Sequence, residues 1–159
     1  MNNIFFRDKD QKYNVYLNNT CYEQMLHYSD KSNPYETGGI LIGNYSQDLT
    51  TANILQITSP PKNSIRKKNS FYRASNDLEM MLDTAWEQGC YYLGEWHYHP
   101  NFYAIPSMAD IKQMIDFSNN QNLKCPEPIL VIIGGNKNNW DVTVSVFSEG
   151  KHFSLKKYK

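Results

Sequence analysis

The sequence has no long apolar run. Its longest uninterrupted stretch covers residues 129–133, far short of the ~18 residues a membrane helix needs. The three cysteines, Cys21, Cys90 and Cys125, are odd in number and widely spaced, and no CxxC occurs. A disulfide framework and a thiolate zinc knuckle are therefore excluded, and a reducing compartment fits. Neither charge is in excess, since Lys+Arg and Asp+Glu are 16 each. Without a positive field, sequence-independent binding to nucleic acid has no electrostatic basis. The opening Met1-Asn2-Asn3-Ile4-Phe5-Phe6-Arg7 lacks a basic region followed by an apolar core and a small-residue cleavage site. The expectation is a cytoplasmic protein, neither exported nor anchored. No internal repeat and no long linker is present.

What remains is ordinary globular material rich in sheet formers. Hydrophobic residues make up 40% and aromatics 14% of 159 residues, which points to one domain, residues 1–159, with a real core. Periodicity predicts strands at 13–17, 37–45, 51–58, 91–99, 129–133, 140–147 and 151–155, with a short one at 70–73. It predicts helices at 19–29, 76–88 and 107–118. In the second helix Leu78, Met81, Leu82, Ala85 and Trp86 form the apolar stripe; in the third, Met108, Ile111, Met114 and Ile115 do so. Residues 59–70 read as a basic loop around Arg66-Lys67-Lys68. The unbroken apolar run at 129–133 predicts a strand covered on both faces. This mixed order predicts an α+β (α/β-like) fold, a curved mixed β-sheet flanked by helices.

The chemistry concentrates at Gly94-Glu95-Trp96-His97-Tyr98-His99-Pro100. In a strand His97 and His99 point to one face, their α-carbons ~6–7 Å apart, while Trp96 and Tyr98 point to the other. Two imidazoles so placed can share a metal. Asp110, in the first turn of the next helix, can supply a third ligand and leave a fourth zinc position for water. Attack on a carbonyl then needs a base. Glu95 and Glu36 both qualify, and spacing does not choose between them. Ser107 and Asp110 also have the spacing of a capping box, which would compete for the carboxylate.

Glu36, then His97-Tyr98-His99-Pro100, then ten residues before Asp110, with Ser107 three ahead of it, resembles the JAMM motif of JAB/MPN-domain metallopeptidases. Thr37-Gly38-Gly39-Ile40-Leu41-Ile42-Gly43 and the lead-in Tyr92-Leu93-Gly94-Glu95-Trp96 agree with it. The resemblance spans residues 35–147 and is strongest to short bacterial JAB deconjugating proteases. Those occur beside ubiquitin-activating-like and conjugating-like enzymes, including in CBASS anti-phage systems. It implies a cytidine-deaminase-like architecture and one Zn2+ per chain on His97, His99 and Asp110. It assigns Glu36 as the acid/base, Ser107 as the helper of the oxyanion, and Glu95 to the flank. The implied substrate is a ubiquitin-like protein or a conjugated target protein such as a cyclic-nucleotide synthase, with no nucleic acid and no membrane involved. A substrate tail entering by strand addition at a sheet edge is part of this expectation. The usual Ser or Thr between the histidines is Tyr98 here. No insertion is large enough for a second clamping element, so linkage selectivity toward polyubiquitin is not expected. The rival readings are a catalytically silent scaffold that binds partner proteins, and a zinc hydrolase of a small-molecule conjugate.

Overall fold

The computed structural model describes residues 3–59, 65–66, 71–72 and 78–158. Its elements are β1 (Ile4–Arg7), β2 (Asn14–Leu17), α1 (Asn19–Ser32), β3 (Thr37–Tyr45), β4 (Thr51–Ile57), β5 (Ile65–Arg66) and β6 (Phe71–Tyr72). They continue with α2 (Leu78–Glu87), β7 (Tyr91–Pro100), α3 (Met108–Asn119), β8 (Ile129–Asn136), β9 (Asn139–Ser148) and β10 (Lys151–Tyr158). Eight strands close into a barrel in the order β1-β10-β9-β8-β7-β3-β4-β2, and β5 and β6 form a separate two-stranded ribbon.

This corrects the expected α+β fold, a curved mixed β-sheet flanked by helices in a cytidine-deaminase-like architecture. Three helices are found among the described residues, and strands dominate. The element that closes the sheet is β1, which the sequence pattern left unassigned. It pairs antiparallel with β2 (Phe6 with Val15) and with β10 (Phe5 with Tyr158). Four residues reading Ile-Phe-Phe-Arg show no alternation, so periodicity passes over them. Within the barrel each of the eight strands has two neighbours, so a free strand edge among the described residues is found only at the β5–β6 ribbon.

The barrel interior is the main core. It takes alternate residues from the strands, among them Phe6, Val15, Leu41, Ile54, Trp96, Tyr98, Val131, Val144 and Leu155. Helix α1 adds Cys21 and Met25 to the same cluster. Asn18 caps this helix by accepting from Thr20 N at 2.8 Å, and Asn33 ends it. Outside the barrel, α2 brings Ala85 against Ile40, Ile42 and Tyr92. Helix α3 brings Met114 against Leu130, Ile132 and Phe147. Strand β8 is accordingly buried on both faces, with Ile129, Val131 and Ile133 inside and Leu130 and Ile132 under α3.

Two members of the expected stripes lie outside the core: Trp86 is 69% and Met108 81% exposed. Each sits at a helix end, beyond the patch of barrel its helix covers. The expected start of α2 at 75–76 and most of the basic loop, including Lys67 and Lys68, fall outside the described residues.

Candidate active site

Strand β7 runs through the barrel wall between β3 and β8 and ends at Pro100. Its alternation sends Trp96 and Tyr98 into the core and leaves His97 and His99 on the outer face, both buried. The antiparallel register pairs Gly38 with His97 and Thr37 with Tyr98. Continued by one residue, it sets Glu36 opposite His99.

Helix α3 delivers the carboxylate. Ser107 Oγ accepts from Asp110 N at 3.0 Å, and Asp110 Oδ2 accepts from Ser107 N at 2.8 Å, a complete capping box. The same carboxylate meets both rings: Oδ1 lies 3.0 Å from His97 Nδ1, and Oδ2 lies 3.1 Å from His99 Nε2. The expected competition between cap and site is thus absent. A carboxylate has about four lone-pair sites, enough for three donors.

Electrostatics follow the geometry. Burial alone would raise the Asp110 pKa, but the His97 and His99 contacts outweigh it and hold the carboxyl well below the usual range. Burial opposes a charged His99, yet the hydrogen bond and charge of Asp110, with Glu36 beyond, hold its pKa above the ordinary value. Burial pushes the Glu36 carboxyl up to about 7; His99 opposes the rise, Asp110 adds to it and His97 opposes it.

Glu36, His99 and Ser107 line one cavity of about 280 Å³, walled by Pro100, Phe102, Ile105 and Pro106. A cavity of about 560 Å³ opens at the other end of β7 between α2 and Tyr91, but it is the smaller one that His99 lines, with Asp110 3.1 Å from its ring. Glu95 is not among the residues lining either cavity. It is fully buried and accepts from Tyr92 OH at 3.0 Å.

The donor set suits a divalent ion. Two imidazole nitrogens and one carboxylate are ligands that zinc uses in hydrolytic sites. As they stand, no group of three or more His, Cys, Asp or Glu among the described residues is arranged to hold a metal. Asp110 gives a different oxygen to each ring.

Two features were not assigned from sequence. The loop between Pro100 and α3 holds Phe102, Tyr103 and Ile105 outward, at 64%, 68% and 59% exposure. An aromatic run in a loop directly after the histidines was the available signal. The second is the hydrogen bonding of the Tyr98 hydroxyl, for which the sequence gives no sign.

The His-x-His pair at a strand end, met by an Asp from a capped helix, is the grouping for which the sequence resembles JAB domains. The chain belongs to that family: the model describing prokaryotic homologs of the JAB domain matches residues 19–145. Among curated proteins, it is similar to the CD-NTase/cGAS isopeptidase of Enterobacter hormaechei subsp. hoffmannii, 34% identical, covering 92% of this chain and 82% of that protein. Proteins of the same name from Escherichia coli and Vibrio cholerae are 26% and 29% identical, covering 88% and 75% of this chain and 87% and 70% of their own. Among solved structures, one of a Desulfitobacterium hafniense protein superposes with a TM-score of 0.64 at 17% identity, covering 88% of this chain and 86% of that one. A Salinibacter ruber protein gives 0.54 at 16%, covering 89% and 86%. These likenesses concern the fold.

Proposed function

We propose that this protein is a zinc-dependent isopeptidase that releases a conjugated protein from the lysine of its partner. The observation that carries the reading is one carboxylate, Asp110, placed 3.0 and 3.1 Å from His97 and His99, beside a cavity that also presents Glu36 and Ser107. The name shared by the curated relatives supports a cyclic-nucleotide synthase as the conjugated target.

His97 Nδ1, His99 Nε2 and an oxygen of Asp110 are the atoms that would hold the ion. The chemistry it supplies when bound is Lewis acidity toward a carbonyl oxygen and toward water. Glu36 takes a proton from the attacking water and returns it to the departing lysine amine. Half-buried, with a carboxyl titrating near 7, it is matched to both transfers. The Ser107 oxygen already accepts from Asp110 N, so its O–H is the donor offered to the developing oxyanion. Phe102 and Ile105 wall the cavity.

The test uses purified protein with zinc measured by elemental analysis. The substrate is an isopeptide between a synthase C-terminal peptide and a lysine peptide. Cleavage is expected with zinc and abolished by chelator. Glu36→Gln should keep zinc and lose about 10²–10⁴ in turnover, whereas His97→Ala should lose the metal too. Full zinc occupancy without cleavage of any conjugate would favour a binding scaffold and overturn the reading.

A further inference from the structure

Tyr98 stands where the resemblance expects Ser or Thr, and its side chain points away from the histidines into the core. Its hydroxyl nevertheless ends among the segments that carry the site. Tyr98 OH donates to Gly135 O at 2.8 Å and accepts from Asn33 Nδ2 at 2.8 Å. Asn33 Nδ2 also donates to Asn101 Oδ1 at 3.2 Å, and Asn101 N donates to Gly135 O at 2.8 Å. The four groups form a closed ring of hydrogen bonds. Asn33 is the C-cap of α1 and lies three residues before Glu36. Asn101 lies two residues after His99 and holds a left-handed backbone, φ 58°.

We infer that Tyr98 is a positioning residue that fixes Glu36 relative to His99. Through Asn33 the phenol anchors the start of the segment that brings Glu36 to the cavity. Through Gly135 it anchors that segment to the end of β8. The only other side-chain anchor found for the segment among the described residues is Ser32 Oγ, which donates to Tyr35 O at 2.8 Å and to Glu36 O at 3.4 Å. Ser32 precedes Asn33 on the same helix, so it ties Glu36 to α1 and not to the strand bearing the histidines. The β3–β7 ladder ties the chain to that strand only from Thr37 onward, and the hydrogen-bond ring of Tyr98 adds a tie on the other side of Glu36. A Ser or Thr at 98 has no reach to Asn33, so this chain carries its own device for a geometry that acid/base chemistry requires to within about an ångström.

The inference rests on the proposed acid/base role of Glu36, and its test separates the two. In the zinc-loaded protein, Tyr98→Phe keeps the ring and removes the hydroxyl. The expected result is a kcat lowered about 10-fold, KM within about twofold and zinc content unchanged. Asn33→Ala removes both of its bonds to the ring and should cost more. The double variant should be no slower than Asn33→Ala, because both substitutions cut the same link. A readout without turnover is amide hydrogen exchange in the metal-free protein. The Tyr35 amide, bonded to Ser32 O at 2.8 Å, should exchange faster in Tyr98→Phe while amides of β8 stay protected. Wild-type kcat, or an unchanged Tyr35 exchange rate, overturns the inference. Lost zinc also overturns it, because the phenol would then be supporting the metal ligands. If Tyr98→Phe fails to fold, Asn33→Ala decides by the same readouts. If the wild-type protein cleaves no conjugate, the isopeptidase reading fails and the exchange measurement still decides the role of Tyr98.

Discussion

Asp110 satisfies three donors with two oxygens: the His97 ring, the His99 ring and the Ser107 amide. An amide in its place has one acceptor and no charge. Asp110→Asn should destabilise the metal-free protein by about 1–3 kcal/mol in urea titrations and should abolish zinc binding. The titrating groups set the pH dependence. Glu36 has a folded pKa of about 7, raised from 4.5 by burial. Its contribution to stability is therefore full below 4.5 and lost as pH rises through 7. His99, also raised, loses its contribution in the same direction above its ordinary 6.5. Asp110 is lowered, so its contribution is present above 3.8 and lost in strong acid. Metal-free protein should show a higher urea midpoint at pH 5.5 than at pH 8, and Glu36→Gln should flatten that difference. Zinc should reverse the order, because protons compete for its ligands. If Glu36→Gln leaves the difference between pH 5.5 and pH 8 unchanged, this assignment of Glu36 is wrong. At this scale the site was legible. Spacing places His97, His99 and Asp110 in reach of one another, as the structure has them, but it leaves Glu36 and Glu95 as alternatives and gives Ser107 a capping role as well. The Tyr98 ring was not legible, because hydrogen bonds between residues 65 and 68 positions apart leave no local pattern.

The loop from Pro100 to Ser107 owes its shape to elements that follow it in the chain. Ala104 N donates to Asp141 Oδ2 at 3.1 Å, and Thr143 Oγ1 donates to Ala104 O at 2.5 Å, so β9 holds the loop. Gly135 N donates to Phe102 O at 2.7 Å, so β8 holds it too. Gly134 permits this close approach: a Cβ there would lie 2.5 Å from Ala104 N and 2.6 Å from Phe102 O. Gly134→Ala should leave the barrel folded by circular dichroism yet displace the loop. The expected readout is turnover at least 10-fold lower, and wild-type kcat would show that the loop's seat is unimportant. Phe102 is held exposed, so it contributes little to folding. Phe102→Ser should raise KM several-fold with kcat within about threefold, measured on the isopeptide substrate. The helix bearing Asp110 was readable from its cap and stripe. The loop's walls were not, because burial patterning has no purchase on apolar side chains held in solvent.

For the whole molecule, closure depends on β1, whose Phe6 is 2% exposed in the main core. Phe6→Ala should cost about 3–5 kcal/mol, read as a fall in the denaturation midpoint, with Phe5→Ala, on the exposed face, as the mild comparison. The eight-stranded closure was the part of the fold that patterning could not give. Strand positions come from local periodicity, but pairing Phe5 with Tyr158 joins positions more than 150 residues apart, and nothing local reports it. β2 lies parallel to β4, another partnership that sequence order conceals.

The pairing of β1 with β10 has a consequence during synthesis. Strand β1 is made well before β10 and has both neighbours only once β10 is in place. A chain stalled before residue 151 leaves β1 and β9 with unsatisfied backbone on one side, a template for pairing with other chains. Docking of β10 between β9 and β1 is the step that covers both of these open strand sides.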